Sequence, residues 1–502
     1  MKHTAVLFLF FVFGTAAYAQ RSPFEKNLPQ VDAYVDSLMK TWNIPGLALA
    51  IVYKDQLIYA KGYGYRDKEA LLPVTAATVF PIASNTKLFT ATTACILQEE
   101  GLLSLDKPVR NFLPTLQFSN EELNARVTLR DMLSHRTGLP RYDGIWAGSS
   151  YTRKEMVARI AYMQPQLGFR EGYIYNNMMY VGAGAVMEQV TGSSWEALIR
   201  SRLLQPLQMN ATGFTQEEMT RSGNYAVAYY EDSTHQLRRL AYAAQCDALG
   251  PAGTMKSNLE DMSHWMIAEL NGGKYKGVQA VSATAISQTL IPNTIADKTA
   301  RWDELTNPLY ALGRNIQAYK GYKIATHTGS IDGFYSNLTF VPAAGIGIFM
   351  VHNSAPAGSL RSIMAFPVID RLLGLSLTNW SGRYRQDYLT GQALEKKQKD
   401  SVLATRVKNT SPSHPLEAYT GTYSSPIYGT VQVTLEKQQL VFRYRSQTAA
   451  LLHFHYDQFY TDEEEKGMPD FRLSFATGSN GSVNRFTMSP FGDAPADFVR
   501  VN

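Results

Sequence analysis

A lysine stands three residues after a serine at the head of an apolar segment, and this arrangement constrains the fold more than any other feature. The residues are Ser84 and Lys87, in the run FPIASNTKLFTAT. Residues 88–97 are apolar on nearly all sides, which predicts a buried helix. Side chains three apart on a helix share a face, so the lysine enters the interior beside the serine. A desolvated ammonium loses its proton more readily, and such an amine can activate a serine hydroxyl.

Two later segments complete a three-part pattern. They are Tyr175-Asn176-Asn177 and His327-Thr328-Gly329-Ser330, and they follow the serine in this order. The combination S-x-x-K, Y-x-N and H-T-G resembles the signature of the penicillin-recognising serine hydrolases. The branch it resembles holds class C β-lactamases, DD-carboxypeptidases, D-aminopeptidases and related esterases. The resemblance covers about residues 30–375 and includes the segments VTLRDMLSHRTGLP, LLQPLQMNATGF, GPAGTMKSNLEDM and YALGRNI.

This resemblance implies an acyl-enzyme mechanism in which Ser84 is the nucleophile. The backbone N–H of Ser84, at a helix start, and that of Ser330 would stabilise the developing oxyanion. Thr328 and Ser330 would bind a substrate carboxylate or carbonyl. Gly329 would leave the strand edge open, since a side chain there would block the substrate.

The general base stays open between Lys87 and Tyr175. The tyrosine could be the base if nearby cations lower its pKa; otherwise the lysine is the base and the tyrosine relays a proton to the leaving group. Asn177 would donate to a substrate carbonyl and hold Lys87. It could equally cap a helix that begins at Met178.

His327 departs from the class C β-lactamases, which carry lysine at this position. Histidine resembles the DD-peptidases and D-amino-acid-specific peptidases of the group. A neutral imidazole offers less fixed positive charge to a carboxylate than an ammonium does. The sequence therefore favours a peptidase, amidase or esterase over two alternatives, a β-lactamase and a penicillin-binding sensor that acylates without turnover.

Terminal strands around a helical middle predict an α+β domain over residues 20–380, with an antiparallel sheet flanked by helices. The resemblance implies the same β-lactamase-related hydrolase fold, with an all-helical subdomain. The HTGS segment is expected between two strands. The predicted elements are helices at Gln30–Thr41, Arg126–Gly138 and Met178–Val190, and strands at Ala48–Tyr53, Gln56–Tyr63, Tyr322–Ala325 and Gly345–His352.

The pattern changes near residue 381. Residues 381–414 read as a connecting helix, Arg383–Arg406, and a polar linker. Residues 415–502 alternate with period two and predict a small antiparallel β-barrel that resembles a lipocalin-like module. Its inward positions would include Leu452, Phe454 and Tyr456. Few contacts are expected to cross the linker, so residues 20–410 should react with an acylating probe unaided. A ligand-binding role for the barrel is the alternative.

Residues 1–19 are typical of a cleavable signal peptide, with Lys2, an apolar run and the site Ala17-Tyr18-Ala19. The apolar run is too short to span a bilayer. The sequence thus predicts a periplasmic or secreted protein without a membrane span. The net charge of +5 includes no dense basic run, so nucleic acid is not an expected partner. The expected partner is a small-molecule or peptide substrate; an oligomer is possible but has no support in the sequence.

The remaining candidates have structural interpretations. His135 lies in a framing segment and is predicted to be a structural histidine rather than a member of a Ser-His-Asp triad. His453 and His455 are expected on a solvated strand face rather than at a metal. Cys95 and Cys246 are expected to be separate thiols. No metal or cofactor motif is present in the sequence.

Overall fold

The computed structural model describes residues 22–232, 234, 236–240, 244–355, 357–461 and 471–501, without the side chains of residues 244–246 and 491. The predicted signal peptide lies outside the described residues. Within them, the α+β architecture followed by an antiparallel barrel is confirmed.

One large antiparallel sheet organises the first part of the chain, in the strand order β10-β11-β12-β13-β14-β15-β1-β2-β3. The remaining short strands pair as β4-β7, β5-β6 and β8-β9. The strands are β1 (Gly46–Tyr53), β2 (Gln56–Asp67), β3 (Leu72–Pro73), β4 (Phe80–Pro81), β5 (Ala228–Glu231), β6 (Leu237–Leu240), β7 (Lys256–Ser257), β8 (Lys274–Tyr275), β9 (Val278–Gln279), β10 (Thr294–Ile295), β11 (Leu309–Tyr310), β12 (Asn315–Tyr319), β13 (Tyr322–Ile331), β14 (Phe334–Val341) and β15 (Ile346–His352).

Helices cover both faces of this sheet. Side chains alternate across a strand, so Leu49 of β1 packs with α1 and α12, whereas Ala50 packs in a second cluster with α2 and α10. The helices are α1 (Leu28–Thr41), α2 (Thr86–Glu99), α3 (Glu121–Arg126), α4 (Leu129–Leu133), α5 (Arg153–Arg159), α6 (Asn177–Thr191), α7 (Trp195–Ile199), α8 (Gln216–Arg221), α9 (Gly250–Gly253), α10 (Leu259–Leu270), α11 (Ala283–Gln288), α12 (Phe366–Leu373) and α13 (Trp380–Ala404).

Two predicted elements differ from the structure. The continuous helix over Arg126–Gly138 is wrong: α3 ends at Arg126, and α4 is a separate short helix opened by a capping box between Thr128 and Asp131. The HTGS segment does not lie between strands, because β13 runs unbroken through it and pairs with β14 along its length. A strand that continues through the motif places its residues at fixed alternating positions.

The C-terminal strands close into a barrel in which each strand pairs with the next and the last pairs with the first. Aromatic rings occupy the interior; the centroids of Phe442 and Phe471 lie 5.5 Å apart, and those of Phe475 and Phe486 lie 5.3 Å apart. The strands are β16 (Gly421–Ser425), β17 (Gly429–Glu436), β18 (Gln439–Tyr444), β19 (Gln447–His455), β20 (Gln458–Thr461), β21 (Arg472–Thr477), β22 (Val483–Met488) and β23 (Ala496–Arg500).

The predicted inward residues of β19 are wrong in part. Phe454 is buried as predicted, but Leu452 is only half-buried while its neighbour Leu451 is buried. Tyr456, directly after the end of β19, is 56% exposed. The pairing of β19 with β20 shifts register between His453 and His455. Such an irregularity changes which residues face inward, and strict alternation in the sequence does not reveal it.

The barrel does not stand apart from the hydrolase domain, contrary to the expectation that few contacts cross. Tyr428 of the barrel is part of the same hydrophobic cluster as Ile145 and Tyr142. Hydrogen bonds also join the two regions, among them one from the Tyr151 hydroxyl to the Tyr428 carbonyl at 3.3 Å. These contacts lie close to the candidate site described next.

Among the described residues, no helix is both long enough and apolar enough to cross a membrane.

Candidate active site

Ser84 lies in a 3-10 turn, Ala83–Asn85, directly before α2. Ala83 has a φ of 49°, a left-handed conformation that a non-glycine residue adopts at a cost. The surrounding bonds hold it there. The Asn85 side-chain amide donates to Ser336 Oγ at 2.8 Å, and Ser336 Oγ donates to the Ile82 carbonyl at 2.7 Å. The sheet strand β14 therefore fixes the turn that presents the serine.

Lys87 is completely buried on the first turn of α2. Its Nζ lies 3.2 Å from Ser84 Oγ, and it donates to Asn177 Oδ1 at 2.8 Å and to the Ala252 carbonyl at 2.6 Å. Burial, the largest cause, and the nearby Arg141 guanidinium hold the lysine pKa well below its ordinary value. The structure thus brings together the serine, the lysine and the asparagine.

Three oxygens surround Lys87 Nζ, so its contacts satisfy the three donors of an ammonium. A neutral amine would keep its two N–H donors on Asn177 Oδ1 and Ala252 O. Its lone pair would then be directed at Ser84 Oγ, the position that a general base requires.

Tyr175 is half-buried against the same group and lines the cavity. Its hydroxyl hydrogen-bonds Ser84, and Lys87 Nζ lies 4.8 Å from its ring centroid. Burial raises the pKa of its phenol, and the bond to Ser84 and the Arg141 charge do not reverse that direction. The tyrosine is therefore a neutral phenol in this structure.

The two neighbouring asparagines have different surroundings. Asn176 caps α6, since its side chain accepts the Met179 N–H at 3.1 Å. Its amide also donates to the carbonyls of Leu139 and Pro140. The alternative role of Asn177 as the cap of this helix falls to its neighbour, one residue earlier. Asn177 is the first residue of α6 and points to Lys87 instead.

β13 passes beside the serine turn and carries the third segment. His327 is buried; its Nδ1 donates to the Thr328 carbonyl at 2.8 Å, so Nε2 accepts from the Tyr310 hydroxyl at 3.0 Å. Burial and the charge of Lys87 lower the His327 pKa to about 3. The imidazole is thus neutral, and Thr328 and Ser330 face the cavity beside it.

Gly329 has a physical reason that the sequence did not reveal. A Cβ at this position would lie 2.3 Å from the Ile82 carbonyl oxygen and 3.0 Å from Ala83 Cβ. The side chain would collide with the serine turn; that it would also block a substrate stays a prediction. Glycine lets β13 pack directly on the backbone that presents Ser84.

These residues surround a cavity of about 520 Å³. Several of its lining residues were not identified as site residues from the sequence. Two of them, Arg141 and Asp143, flank Tyr142, whose left-handed φ of 48° turns the chain, but no motif or spacing marks this segment. Others with side chains able to contact a substrate are Trp146, Asn315 and Arg361.

Asp143 connects this segment to the centre of the site. Its Oδ1 accepts from Asn177 Nδ2 at 3.0 Å and from the Trp146 indole N–H at 2.7 Å, and its Oδ2 accepts from Arg141 at 2.6 Å. The asparagine that contacts the lysine is therefore held by a carboxylate on its other side.

The remaining candidates stay outside this chemistry. His135 is buried; its Nδ1 accepts the Asn176 N–H at 3.1 Å, and its ring packs 4.4 Å from that of Tyr175. It is a structural histidine. His453 belongs to the barrel, where its Nε2 contacts the Tyr456 carbonyl. Cys95 is a buried free thiol, and the side chain of Cys246 lies outside the described residues. Across the described part of the chain, no cluster of side chains suited to a metal ion occurs.

Comparison with known proteins agrees with this architecture. Residues 31–367 match the family model described as Beta-lactamase. The chain belongs to the beta-lactamase family. Residues 405–500 match a second model, described as a domain of unknown function, DUF3471; the description of the barrel as lipocalin-like stays a prediction.

Relatives include an unguisins hydrolase of Aspergillus campestris, 27% identical over 83% of this chain and 79% of that protein. Protein flp of Staphylococcus aureus strain MW2 is 29% identical over 64% of this chain and 62% of its own length.

Two solved structures share the fold. An octameric penicillin-binding protein homologue from Pyrococcus abyssi has a TM-score of 0.63 and 23% identity, covering 92% of this chain and 98% of that chain. A D-amino acid amidase from Ochrobactrum anthropi has a TM-score of 0.58 and 22% identity, covering 70% and 98%.

The two asparagines offer a matched pair of substitutions. Asn176→Ala should lower the free energy of unfolding by about 1–3 kcal/mol through loss of the cap and its buried bonds, while Ser84 still reacts at close to the wild-type rate. Asn177→Ala should instead slow acylation on the order of 10- to 100-fold, since Lys87 loses an orienting contact. Urea unfolding and labelling by an active-site probe measure the two effects. The same slowing in both variants would contradict this division.

Proposed function

We propose that this chain is an exported serine hydrolase that works through an acyl-enzyme on Ser84. The observation that carries the proposal is the fully buried amine of Lys87, 3.2 Å from the serine hydroxyl, with its other contacts taken by two acceptors. Membership in the beta-lactamase family supports a hydrolase. A buried lysine of this kind otherwise destabilises a fold, so its position calls for a chemical use.

In the proposed acylation, Ser84 Oγ bonds to the substrate carbonyl carbon while its proton passes to Lys87 Nζ. The carbonyl electron pair moves to oxygen, where the backbone N–H groups of Ser84 and Ser330 would donate. Collapse of the intermediate breaks the bond to the leaving group, which takes a proton from the Tyr175 hydroxyl. The lysine proton then restores the tyrosine. In the second half, a water oxygen bonds to the acyl carbon while Lys87 Nζ takes one of its protons. The bond to Ser84 Oγ then breaks, the lysine returns the proton to Oγ, and the acid is released.

The pKa directions support this allocation of roles. The lowered pKa of Lys87 lets the amine lose its proton at a lower pH than an exposed lysine does, so that it can accept one from Ser84. Tyr175 has a raised pKa and keeps its proton, so it can donate one. These directions support the lysine as the base in the choice that the sequence left open.

The proposed substrates are D-amino-acid-containing peptides, or small amides and esters. Neutral His327 supplies no fixed cation at the strand edge, which disfavours recognition that depends on an ammonium there. The names of two fold neighbours, a D-amino acid amidase and a D-stereospecific amidohydrolase from Streptomyces, point to the same substrate class. The predicted signal peptide supports a periplasmic or secreted location.

Ser84→Ala should abolish hydrolysis of every substrate, because loss of the nucleophile alone costs on the order of 10⁴-fold or more. The assay is turnover of D-Ala-D-Ala peptides, D-amino-acid amides, a chromogenic β-lactam and p-nitrophenyl esters, with mass spectrometry of the adduct. Ser37→Ala, on the exposed side of α1, serves as control. Retention of a tenth of the wild-type turnover would exclude Ser84 as the nucleophile. A lasting adduct without turnover would indicate a sensor, and turnover restricted to the lactam a β-lactamase.

The dependence of kcat/KM on pH should separate the two candidate bases. If neutral Lys87 is the base, activity rises with pH through the lysine pKa, which lies well below the ordinary 10.5, and falls as the amine is protonated. If the Tyr175 phenolate is the base, the rise comes only in strong alkali, since burial raises that pKa.

Lys87→Ala and Tyr175→Phe should each cut acylation, and the double variant should be little worse. Multiplicative losses would assign them to separate steps.

His327→Lys should raise the turnover of substrates that carry a free carboxylate, including β-lactams, relative to neutral esters. The change places an ammonium beside Thr328 and Ser330, where a neutral ring stood. His327→Gln, which keeps a neutral polar side chain, is the control. An unchanged ratio in a folded His327→Lys variant would remove this position from substrate selection.

A further inference from the structure

A carboxylate of the barrel binds the backbone of the segment that lines the cavity. The segment is residues 141–147, called here the 141–147 loop. Asp493, just before β23, accepts the backbone N–H of Asp143 through Oδ1 at 3.0 Å and that of Gly144 through Oδ2 at 2.7 Å. Its Oδ2 also accepts from the Tyr428 hydroxyl at 3.2 Å. Hydrogen bonds to an ionised acceptor are stronger than neutral ones.

A cation of the barrel binds the same loop through its carbonyls. Arg445 lies in the turn between β18 and β19. Its Nη2 donates to the carbonyls of Gly144 at 2.6 Å and Ile145 at 3.2 Å, and its Nη1 donates to the Ala147 carbonyl. The barrel thus binds both the donors and the acceptors of one short stretch of backbone.

Gly144 shows how closely the two regions approach. A Cβ there would lie 2.8 Å from the Tyr428 ring, 2.9 Å from Asp493 Oδ2 and 3.0 Å from Pro490 Cβ. Only a glycine allows the loop to come this near to the barrel. The loop position is therefore set by the barrel surface as well as by the hydrolase domain.

The loop continues the contact into the site. The Asp143 carboxylate accepts from Asn177 Nδ2 at 3.0 Å, and Asn177 Oδ1 accepts from Lys87 Nζ at 2.8 Å. The same carboxylate holds Arg141 and Trp146, which line the cavity. An unbroken series of hydrogen bonds and backbone thus joins Asp493 to the amine beside Ser84.

We propose that Asp493 and Arg445 are positioning residues for acyl transfer: by fixing the 141–147 loop they keep Asp143 and Asn177 aligned on Lys87. This inference rests on the proposed function. A shift of about 1 Å at a reacting group can cost on the order of 10²-fold in rate. Burial raises the pKa of Asp493 to about 6, so the carboxylate is still ionised at neutral pH.

The test compares Asp493→Asn with Asp497→Asn in the full-length protein. Asparagine cannot accept both N–H groups, because one oxygen becomes an amide NH₂. Asp497 lies four residues further on, in β23, and contacts Thr487 rather than the loop. The readouts are kcat/KM for a p-nitrophenyl ester across pH, adduct formation on Ser84, and thermal unfolding.

Asp493→Asn should lower kcat/KM about 10- to 100-fold. It should also move the acid limb of the pH profile, the range in which kcat/KM falls as Lys87 is protonated, to higher pH. Asp497→Asn should change neither. Burial is the largest cause of the lowered Lys87 pKa, the Arg141 charge on the loop lowers it further, and the Asp143 charge, the smallest cause, raises it. A looser loop admits water and weakens the effect of Arg141. Both changes raise the pKa and outweigh the weaker effect of Asp143, so a higher pH is needed to free the amine. A contact that only stabilised the fold would leave the limb in place.

A second comparison, with the same readouts, sets Arg445→Lys against Arg443→Lys as its control. Arg445→Lys should change kcat/KM and the acid limb in the same direction as Asp493→Asn, and Arg443→Lys should change neither. Lysine lacks the planar fork that reaches several carbonyls at once, whereas Arg443 contacts Thr434 and Glu436 on the barrel. Folded variants at 493 and 445 with wild-type kcat/KM and acid limb would overturn the inference. So would a loss of activity with the limb unmoved, or unfolding of both variants. Absence of turnover and adduct in the wild type would instead overturn the proposed function, and this inference with it.

Discussion

The burial of one amine beside one hydroxyl sets the terms for the rest of this structure. Lys87 has no exposed surface, and a buried amine is tolerable only when its donors are satisfied and its charge can be given up. Two acceptors supply the first condition, one from the Y-x-N segment and one from the carbonyl of Ala252. The apolar surroundings of α2 meet the second condition, because burial lowers the pKa of the amine. The Y-x-N segment and the segment that contains Ala252 are far apart in sequence, yet both must be in place before the lysine can occupy its site.

The sheet supplies the matching constraint on the serine. Ala83 adopts a left-handed φ of 49°, which only surrounding contacts can maintain. Ser336 of β14 and Asn85 hold this turn, and Gly329 of β13 lets the strand pack directly on it. The glycine of the H-T-G segment thus serves the nucleophile turn. Because side chains alternate along β13, Gly329 lies on the face that packs against the serine turn, whereas Thr328 and Ser330 lie on the face that lines the cavity.

The sequence predicted what depends on local pattern. Ser84 and Lys87 sit as their spacing indicated, and α2 is buried along the predicted run. The candidate cap of α6 lay one residue too late, because Asn176 and Asn177 have the same side chain and only tertiary contacts decide which of them caps the helix. The register of β19 was wrong because an irregularity between His453 and His455 breaks the alternation. The contact between Asp143 and Asp493 joins residues 350 apart in the chain, and no short-range pattern carries such information.

That distant contact bears on how the two parts of the chain work together. Asn177 contacts Lys87, and its own amide nitrogen is held by Asp143, which begins a single 3-10 turn within the 141–147 loop. Loops supply functional groups but hold them less firmly than strands or helices do. The barrel compensates by binding this loop from its other side, with a carboxylate on its N–H groups and a guanidinium on its carbonyls. The interior of the barrel is packed with aromatic rings. Its proposed contribution to the hydrolase therefore comes from Asp493 and Arg445 on its outer edge, which gives a physical reason for joining the two regions in one chain.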